Sequence, residues 1–425
     1  MAAVSDAVDA FGDAVADAAG HMRASLERLV GRKQPIFSSG NALTLLQGSR
    51  EFFPALVQAM DGAQRSIYFE TYIFDTTASG TEIAQALMRA AERGVAVHVV
   101  VDGFGTRIFD SEWQQRFEKA GVKMRVFSPP GRWFLFVRQQ WQRMHRKLCA
   151  VDDQIAFCGG INVLDDFYDP QYGTFTSPRL DFSVQVTGPV AASISQACQL
   201  LWLRLQKQSL KSADIKGLAR PAEILRNVGE DPASAMLILP DNLRKRRQIE
   251  RAYLHAIGRS RHGMIIANAY FFPSRKLLKA LVMATKRGVR VQLLLQGRYE
   301  YFMQFHASRA FYQTLLKAGV EIYEYEQSFL HAKVAVVDAD TPQAWATVGS
   351  SNLDPLSLLL AREANVVARD SAFALALQAK LQDALGQGNR ITADCLAQRS
   401  LRMRAFDRAA YIAARAMIWL VKDRF

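Results

Sequence analysis

Two stretches of this 425-residue chain carry the same reactive side chains at the same spacing. Met144–Asn162 holds His145, Lys147 and Asp152, and Leu330–Asn352 holds His331, Lys333 and Asp338. In both, Lys follows His by two positions and Asp follows Lys by five. Each then reaches a small-residue turn and an Asn: Gly159-Gly160-Ile161-Asn162 and Gly349-Ser350-Ser351-Asn352. An imidazole can act as nucleophile or proton carrier, an ammonium supplies fixed positive charge, and an Asn amide donates hydrogen bonds. His-x-Lys among Val, Leu and Ala predicts a strand, in which residues i and i+2 share a face. His and Lys then aim at one ligand. The Asp, at odd spacing from the His, cannot share that face in a regular strand, and reads as a turn residue bonded to backbone. Two matching copies are a far stronger signal than one.

These residues need a scaffold, and an internal repeat supplies it. Residues 66–74 match 264–272, both reading as buried strands. Residues 86–95 match 280–289, each a helix ended by Gly and followed by a strand, at Val97–Val101 and Val291–Leu295. Residues 117–122 match 315–320 in the same way. Strands alternating with helices of about 10–15 residues predict α/β layers, with helices on the sheet faces. The expected domains are an N-terminal amphipathic helix at 1–40, a first half at 41–205, a linker at 206–234, a second half at 235–395, and a basic amphipathic helix at 396–425. Two similar halves, each closing on one His-Lys set, predict a pseudo-two-fold axis with one shared active site.

Both stretches resemble the HxKxxxxD…G(G/S)xN signature of the phospholipase D superfamily. From about residue 41 onward the chain is similar to bacterial cardiolipin synthases of the shorter type, which lack N-terminal membrane spans. One departure is visible: six residues separate Asp152 from Gly159, but ten separate Asp338 from Gly349. The extra length, Ala339-Asp340-Thr341-Pro342, reads as a longer hairpin turn. The resemblance implies phosphodiester chemistry, with His145, Lys147, Asp152, His331, Lys333 and Asp338 as the catalytic motif. A phosphodiester needs fixed positive charge, a nucleophile and an acid for the leaving group. Two Lys supply the charge, while Asn162, Asn352, Gly160 and Ser350 are candidate phosphate-binding positions. By resemblance His145 is the nucleophile and His331 the general acid, although the near-symmetry of the motifs does not itself fix that order. No metal and no cofactor are expected, because the cations are already present.

An imidazole needs a partner on its second nitrogen to fix its tautomer. Glu363 follows the second motif where the family carries such a carboxylate, and Asp181 holds the matching place in the first half; a surface salt bridge is the alternative for each. Glu70 and Asp102 also end strands, but their repeat partners are Asn268 and Gln296. Neither is assigned to catalysis.

The superfamily includes nucleases, so the substrate needs separate argument. The chain carries 53 Lys+Arg against 40 Asp+Glu, a net charge of +13, which points to an anionic partner. Residues 128–147 interleave Trp133, Phe134, Phe136 and Trp141 with arginines and contain no acid. Base stacking is one reading of such a pattern. The uninterrupted Trp-Phe-Leu-Phe-Val run favours acyl chains and a membrane-binding role. From Arg399 onward there are seven Lys+Arg and two acids, with Phe406, Ala409, Ala410, Ala413, Ala416, Met417 and Leu420 at helical spacing, either a helix docked on the core or an in-plane membrane helix.

No basic apolar leader and no run of 18 apolar residues is visible. The four Cys lack metal-like spacing and read as thiols of a reducing compartment. The expectation is a peripheral phosphatidyltransferase on the cytoplasmic face of the cell membrane. Phosphatidylglycerol would be donor and acceptor, an anionic phospholipid membrane the partner, and nucleic acid no partner. A phospholipase D-type hydrolase or another phosphatidyltransferase is the alternative, with a nuclease behind them.

Overall fold

The computed structural model describes residues 36–425 except 78, 107–108, 130, 132–140, 170–171, 207–232, 241–246, 355–360 and 423–425. Within Ser38–Phe425, fifteen of the described strands are hydrogen-bonded in one order. In the first half that order is Lys123–Phe127, Ala96–Asp102, Ser66–Thr71, Lys147–Val151, Ile155–Gly159, Phe182–Thr187, Ser38–Gln47. In the second it is Glu321–Tyr325, Arg290–Gln296, Gly263–Asn268, Lys333–Val337, Trp345–Gly349, Asn365–Arg369, Ala233–Ile238. The two orders correspond strand for strand. In each, the first three strands are parallel and the rest antiparallel. The halves join where Ser38–Gln47 pairs with Ala233–Ile238, and Asn389–Ile391 adds an edge strand to the second half.

The two strands that open with the motif lysines, KLCAV and KVAVV, are buried along their whole length. Such continuous apolar runs require cover on both faces. One face lies in a core built by both halves, with Leu148, Ala150 and Val184 beside Val334, Val336 and Val366. In the first half the other face packs under the helices Gly48–Gly62 and Gly80–Glu92. The repeated helices end as their glycines predict: Gly94 and Gly288 take φ of 90° and 86°, a conformation that costs a side chain with Cβ.

Some boundaries differ from the sequence reading. The strand Ser38–Gln47 begins inside the span assigned to the N-terminal helix, whose residues 1–35 lie outside the described ones. Ala233–Ile238 likewise begins inside the expected linker, of which 207–232 are not described.

The C-terminal basic segment is helical from Leu401 to Lys422, after a short helix at Ala393–Ala397. Of the expected apolar stripe, Ala410 is buried, whereas Phe406, Ala409, Ala413 and Ala416 are exposed. Ala410 and Ala414 pack with Ala307, Phe272 and Met303, and Asp407 receives His306 Nδ1 at 2.7 Å and Arg399 at 3.2 Å. The opposite face keeps Leu401, Phe406, Ile412, Arg402, Arg404, Arg408 and Arg415 exposed. No described helix is long and apolar enough to cross a membrane.

Candidate active site

The two motif histidines come from different halves and meet, with ring centroids 6.4 Å apart. Neither sits in a regular strand, as the His-x-Lys spacing had predicted; the strands begin at Lys147 and Lys333. The reason is that the backbone before each strand is diverted to the opposite half. Arg143–Met144 pairs with Ala361–Arg362, and His145 N–H donates to Arg362 O at 3.0 Å. Leu330 bridges to Leu180, and His331 N–H donates to Leu180 O at 2.9 Å.

The next residue in each opposing segment is the carboxylate that holds the ring. His145 Nδ1 lies 3.1 and 3.2 Å from the two Glu363 oxygens, and His331 Nδ1 lies 2.6 Å from Asp181 Oδ2. The carboxylates serve crosswise, each orienting the histidine of the other half. The Glu363 and Asp181 side chains are 0% and 5% exposed, whereas His145 and His331 are 19% and 22% exposed. The imidazoles are therefore reachable while their anchors are not. With Nδ1 engaged, Nε2 is the nitrogen of each ring left for chemistry.

Lys147 and Lys333 are buried, and each Nζ donates to the carbonyl of its own motif histidine, Lys147 at 2.6 Å. Lys147 also lies 5.3 Å from the Tyr72 ring, itself 5.1 Å from the His145 ring. Asp152 and Asp338 do not join this group, which corrects their inclusion in the catalytic set. Asp152 accepts from the N–H groups of Gln64, Arg65 and Ser66, and Asp338 from those of Arg261, His262 and Gly263. Both adopt positive φ, 54° and 48°, which Asp tolerates better than most residues. They tie the turn at the far end of each motif strand to the preceding repeat strand, as the odd spacing had suggested.

Gly160 and Ser350 are also re-read. Their N–H groups are spent on Phe182 O and Ala364 O, both at 2.9 Å, and the Ser350 hydroxyl accepts from Ala364 N at 3.0 Å. Phe182 and Ala364 directly follow Asp181 and Glu363. These small residues thus brace the orienting carboxylates rather than offering their N–H groups to phosphate. A Cβ on Gly160 would lie 2.3 Å from Asp181 Oδ1, so only Gly fits there. Asn162 is half-buried and its amide oxygen accepts from Ile73 N at 3.1 Å, next to Tyr72. Asn352 is buried, and its Oδ1 has no hydrogen-bond partner among the described residues.

Sequence reasoning missed Arg146. It is fully buried between the reactive pair in sequence and forms a two-pronged pair with Glu70, at 2.5 and 3.0 Å. The repeat held the signal: Arg146 and Glu70 correspond to Ala332 and Asn268, a charged pair replaced by a neutral one. Asp102 is structural in the same manner, accepting from Met144 N at 2.7 Å and Arg143 Nη1 at 3.3 Å. Trp141 is half-buried, and Trp133, Phe134 and Phe136 lie outside the described residues.

Burial sets the electrostatics. It lowers Lys147 to about 7, with Glu363 opposing and Lys333 adding to the shift, and lowers Lys333 to about 8 against Asp181 and Glu363. It also draws His145 down, and takes His331 well down with help from Lys333 and Lys147. Burial pushes the Asp181 carboxyl up to about 7. Every cationic form here is held below its usual range, so an anion entering between the lysines favours proton uptake. No group of three or more His, Cys, Asp or Glu among the described residues is arranged to hold a metal ion.

Comparison with known proteins agrees with this geometry. The family profile described as "Cardiolipin synthase, PLD-like domain" matches residues 56–170 and 253–385, one segment in each half. Cardiolipin synthase B of Salmonella typhi is 37% identical over 346 residues, covering 81% of this chain and 80% of its own length. Cardiolipin synthase B of Escherichia coli K12 is 36% identical, covering 84% and 82%. Cardiolipin synthase A of Salmonella arizonae is 30% identical, covering 91% and 78%. Among solved structures, phosphatidylserine synthase of Haemophilus influenzae Rd KW20 superposes with a TM-score of 0.65 at 15% identity, covering 92% of this chain and 97% of its own. A profile that matches both halves, relatives aligned over most of their length, and two histidines converging from a repeated fold lead to one conclusion: the chain belongs to the phospholipase D superfamily, within its cardiolipin synthase-type family.

Proposed function

We propose that this protein is a phosphatidyltransferase that makes cardiolipin and glycerol from two molecules of phosphatidylglycerol. The observation that carries this reading is the facing pair His145 and His331, each with Nδ1 tied to a buried carboxylate, between two buried lysines. Such a pair suits a two-step displacement at one phosphorus. In the first step Nε2 of His145 bonds to phosphorus, the P–O bond to the glycerol headgroup breaks, and the departing oxygen takes a proton from His331. In the second, a hydroxyl of another phosphatidylglycerol bonds to phosphorus, the P–N bond breaks, and His331 recovers a proton. Lys147 and Lys333 neutralise the non-bridging oxygens, with Asn162 and Asn352 as further donors. The order of the histidines is taken from the family resemblance. The names of the relatives support the substrate.

In the same reading the enzyme works at the cytoplasmic face of the cell membrane, as a peripheral protein on an anionic surface. The net charge of +13, the exposed arginines of the C-terminal helix, and the exposed Tyr299, Tyr301 and Phe302 favour this. The deciding experiment incubates purified protein with labelled phosphatidylglycerol in vesicles and separates the lipids. Cardiolipin with an equivalent of glycerol is expected. Phosphatidic acid as the sole product would make the protein a hydrolase instead.

A further inference from the structure

Beside His331 lies a small, half-open recess lined by Tyr270, Gln296, Arg298, Glu300, Tyr301 and Gln304. It adjoins the reacting centre through its walls. Gln296 Oε1 accepts from Leu330 N at 3.2 Å, one residue before His331. Ala269, also in the lining, donates its N–H to Ala332 O, between His331 and Lys333. The Lys333 charge acts on the Glu300 carboxyl, which burial otherwise pushes above the usual range.

The recess breaks the symmetry of the two halves. Where it has Gln296, Arg298 and Glu300, the first half has Asp102, Phe104 and Thr106. Asp102 is consumed by Met144 N and Arg143, and Thr106 by Phe74 N and Tyr72 O. Gln296, in contrast, is 8% exposed and its Nε2 has no hydrogen-bond partner among the described residues. A buried amide donor left unpaired is costly, so a ligand that accepts from it gains more than one bond in water would give. Next to it, Glu300 accepts from Tyr270 Oη at 2.7 Å. An amide donor and a carboxyl acceptor side by side match hydroxyl groups, which both accept and donate. Arg298, over the rings of Phe175 and Phe329, disfavours an ammonium headgroup.

We propose that this recess is the acceptor subsite, which holds the neighbouring hydroxyls of a glycerol headgroup and presents one of them to the phosphorus beside His331. This rests on the phosphatidyltransferase reading and adds its specificity. In it Gln296, Glu300 and Tyr270 are binding groups for the polyol.

The test is a partition experiment. The full-length protein is given a phosphatidyl donor with a p-nitrophenol leaving group, in vesicles, with glycerol, 1-propanol and ethanolamine present at equal concentration, and the phosphatidyl products are resolved by mass spectrometry. Wild-type protein should form phosphatidylglycerol over phosphatidylpropanol by more than about tenfold. Gln296→Leu and Tyr270→Phe should each lower that ratio by about tenfold. Both products come from one intermediate, so a general loss of activity or of folded protein leaves the ratio unchanged. Equal ratios in wild type and both variants, or preferential transfer to ethanolamine, would overturn the subsite alone. Absence of transfer to any alcohol, with phosphatidic acid formed, would overturn the subsite together with the reading it rests on.

Discussion

His145 and Glu363 stand 218 positions apart in the chain, yet the imidazole Nδ1 lies 3.2 Å from the carboxylate Oε2. His331 and Asp181, 150 positions apart, mirror them at 2.6 Å. Neither half can prepare its own histidine. Each supplies one motif imidazole and the anchor of the other, so the pairing exists only when both halves are folded against each other.

This arrangement predicts that the anchors matter as much as the rings they hold. Glu363→Gln and Asp181→Asn should each lower kcat for transfer by about 10²–10⁴-fold, because the ring loses its fixed tautomer and orientation. If His331 is the acid, Asp181→Asn should be much less harmful with a p-nitrophenol leaving group than with glycerol. Steady-state rates on the two donors, beside thermal melts of each variant, check this. Equal losses on both donors would contradict the division of roles.

The lowered lysines predict a pH dependence of anion binding. Lys147 near 7 and Lys333 near 8 are charged below those values and neutral above them. Affinity for an anion should therefore be greatest near pH 6 and fall as pH rises through both values. Sulfate is a suitable probe, since its own charge is constant over this range. Calorimetry in two buffers of different ionisation enthalpy should show proton uptake on binding near pH 7.5. Affinity that does not change between pH 6 and 9 would contradict it.

Asp338 is predicted to act on stability rather than rate. Its carboxylate satisfies three backbone N–H groups at a buried turn, so Asp338→Ala should destabilise the fold by about 2–4 kcal/mol. Denaturant melts would show the loss, while turnover per folded molecule should stay within a few-fold. A folded, fully stable but inactive variant would return Asp338 to the reacting centre.

Membrane binding is predicted to involve the exposed faces beside the docked C-terminal helix. Phe302→Ser combined with Ile412→Ser should reduce cosedimentation with phosphatidylglycerol vesicles, and wild-type binding should weaken with salt. Unchanged binding in the double variant would assign these side chains to the surface of the protein alone.

The paired His-Lys sets of the candidate site were legible because their residues are local in sequence. His and Lys two apart, and the turn that follows, repeat almost without change. The repeat also revealed the layer architecture, since a helix stopped by Gly before a strand reads the same in both copies. What could not be read depends on pairs far apart in the chain. The pairing of each carboxylate with the opposite histidine depends on how two half-folds dock, and no local spacing encodes it. The same limit hid His306–Asp407, which pins one side of the last helix to the protein. Gly160 and Ser350 stand in small-residue turns, whose N–H groups can bind anions when they are free. Their N–H groups are instead taken by the carbonyls of Phe182 and Ala364, directly after Asp181 and Glu363.

The central claim is that the two histidines act on one phosphorus in different roles, and covalent trapping tests it most directly. A p-nitrophenyl phosphatidyl ester needs little acid help, so the His331→Ala protein should form an adduct it resolves only slowly. Peptide mapping by mass spectrometry should find the phosphatidyl group on His145, with no adduct in the His145→Ala protein. On phosphatidylglycerol both single variants should be nearly inactive, and the double variant little worse than either. An adduct on His331 would reverse the roles, and full turnover in either single variant without any adduct would contradict the mechanism.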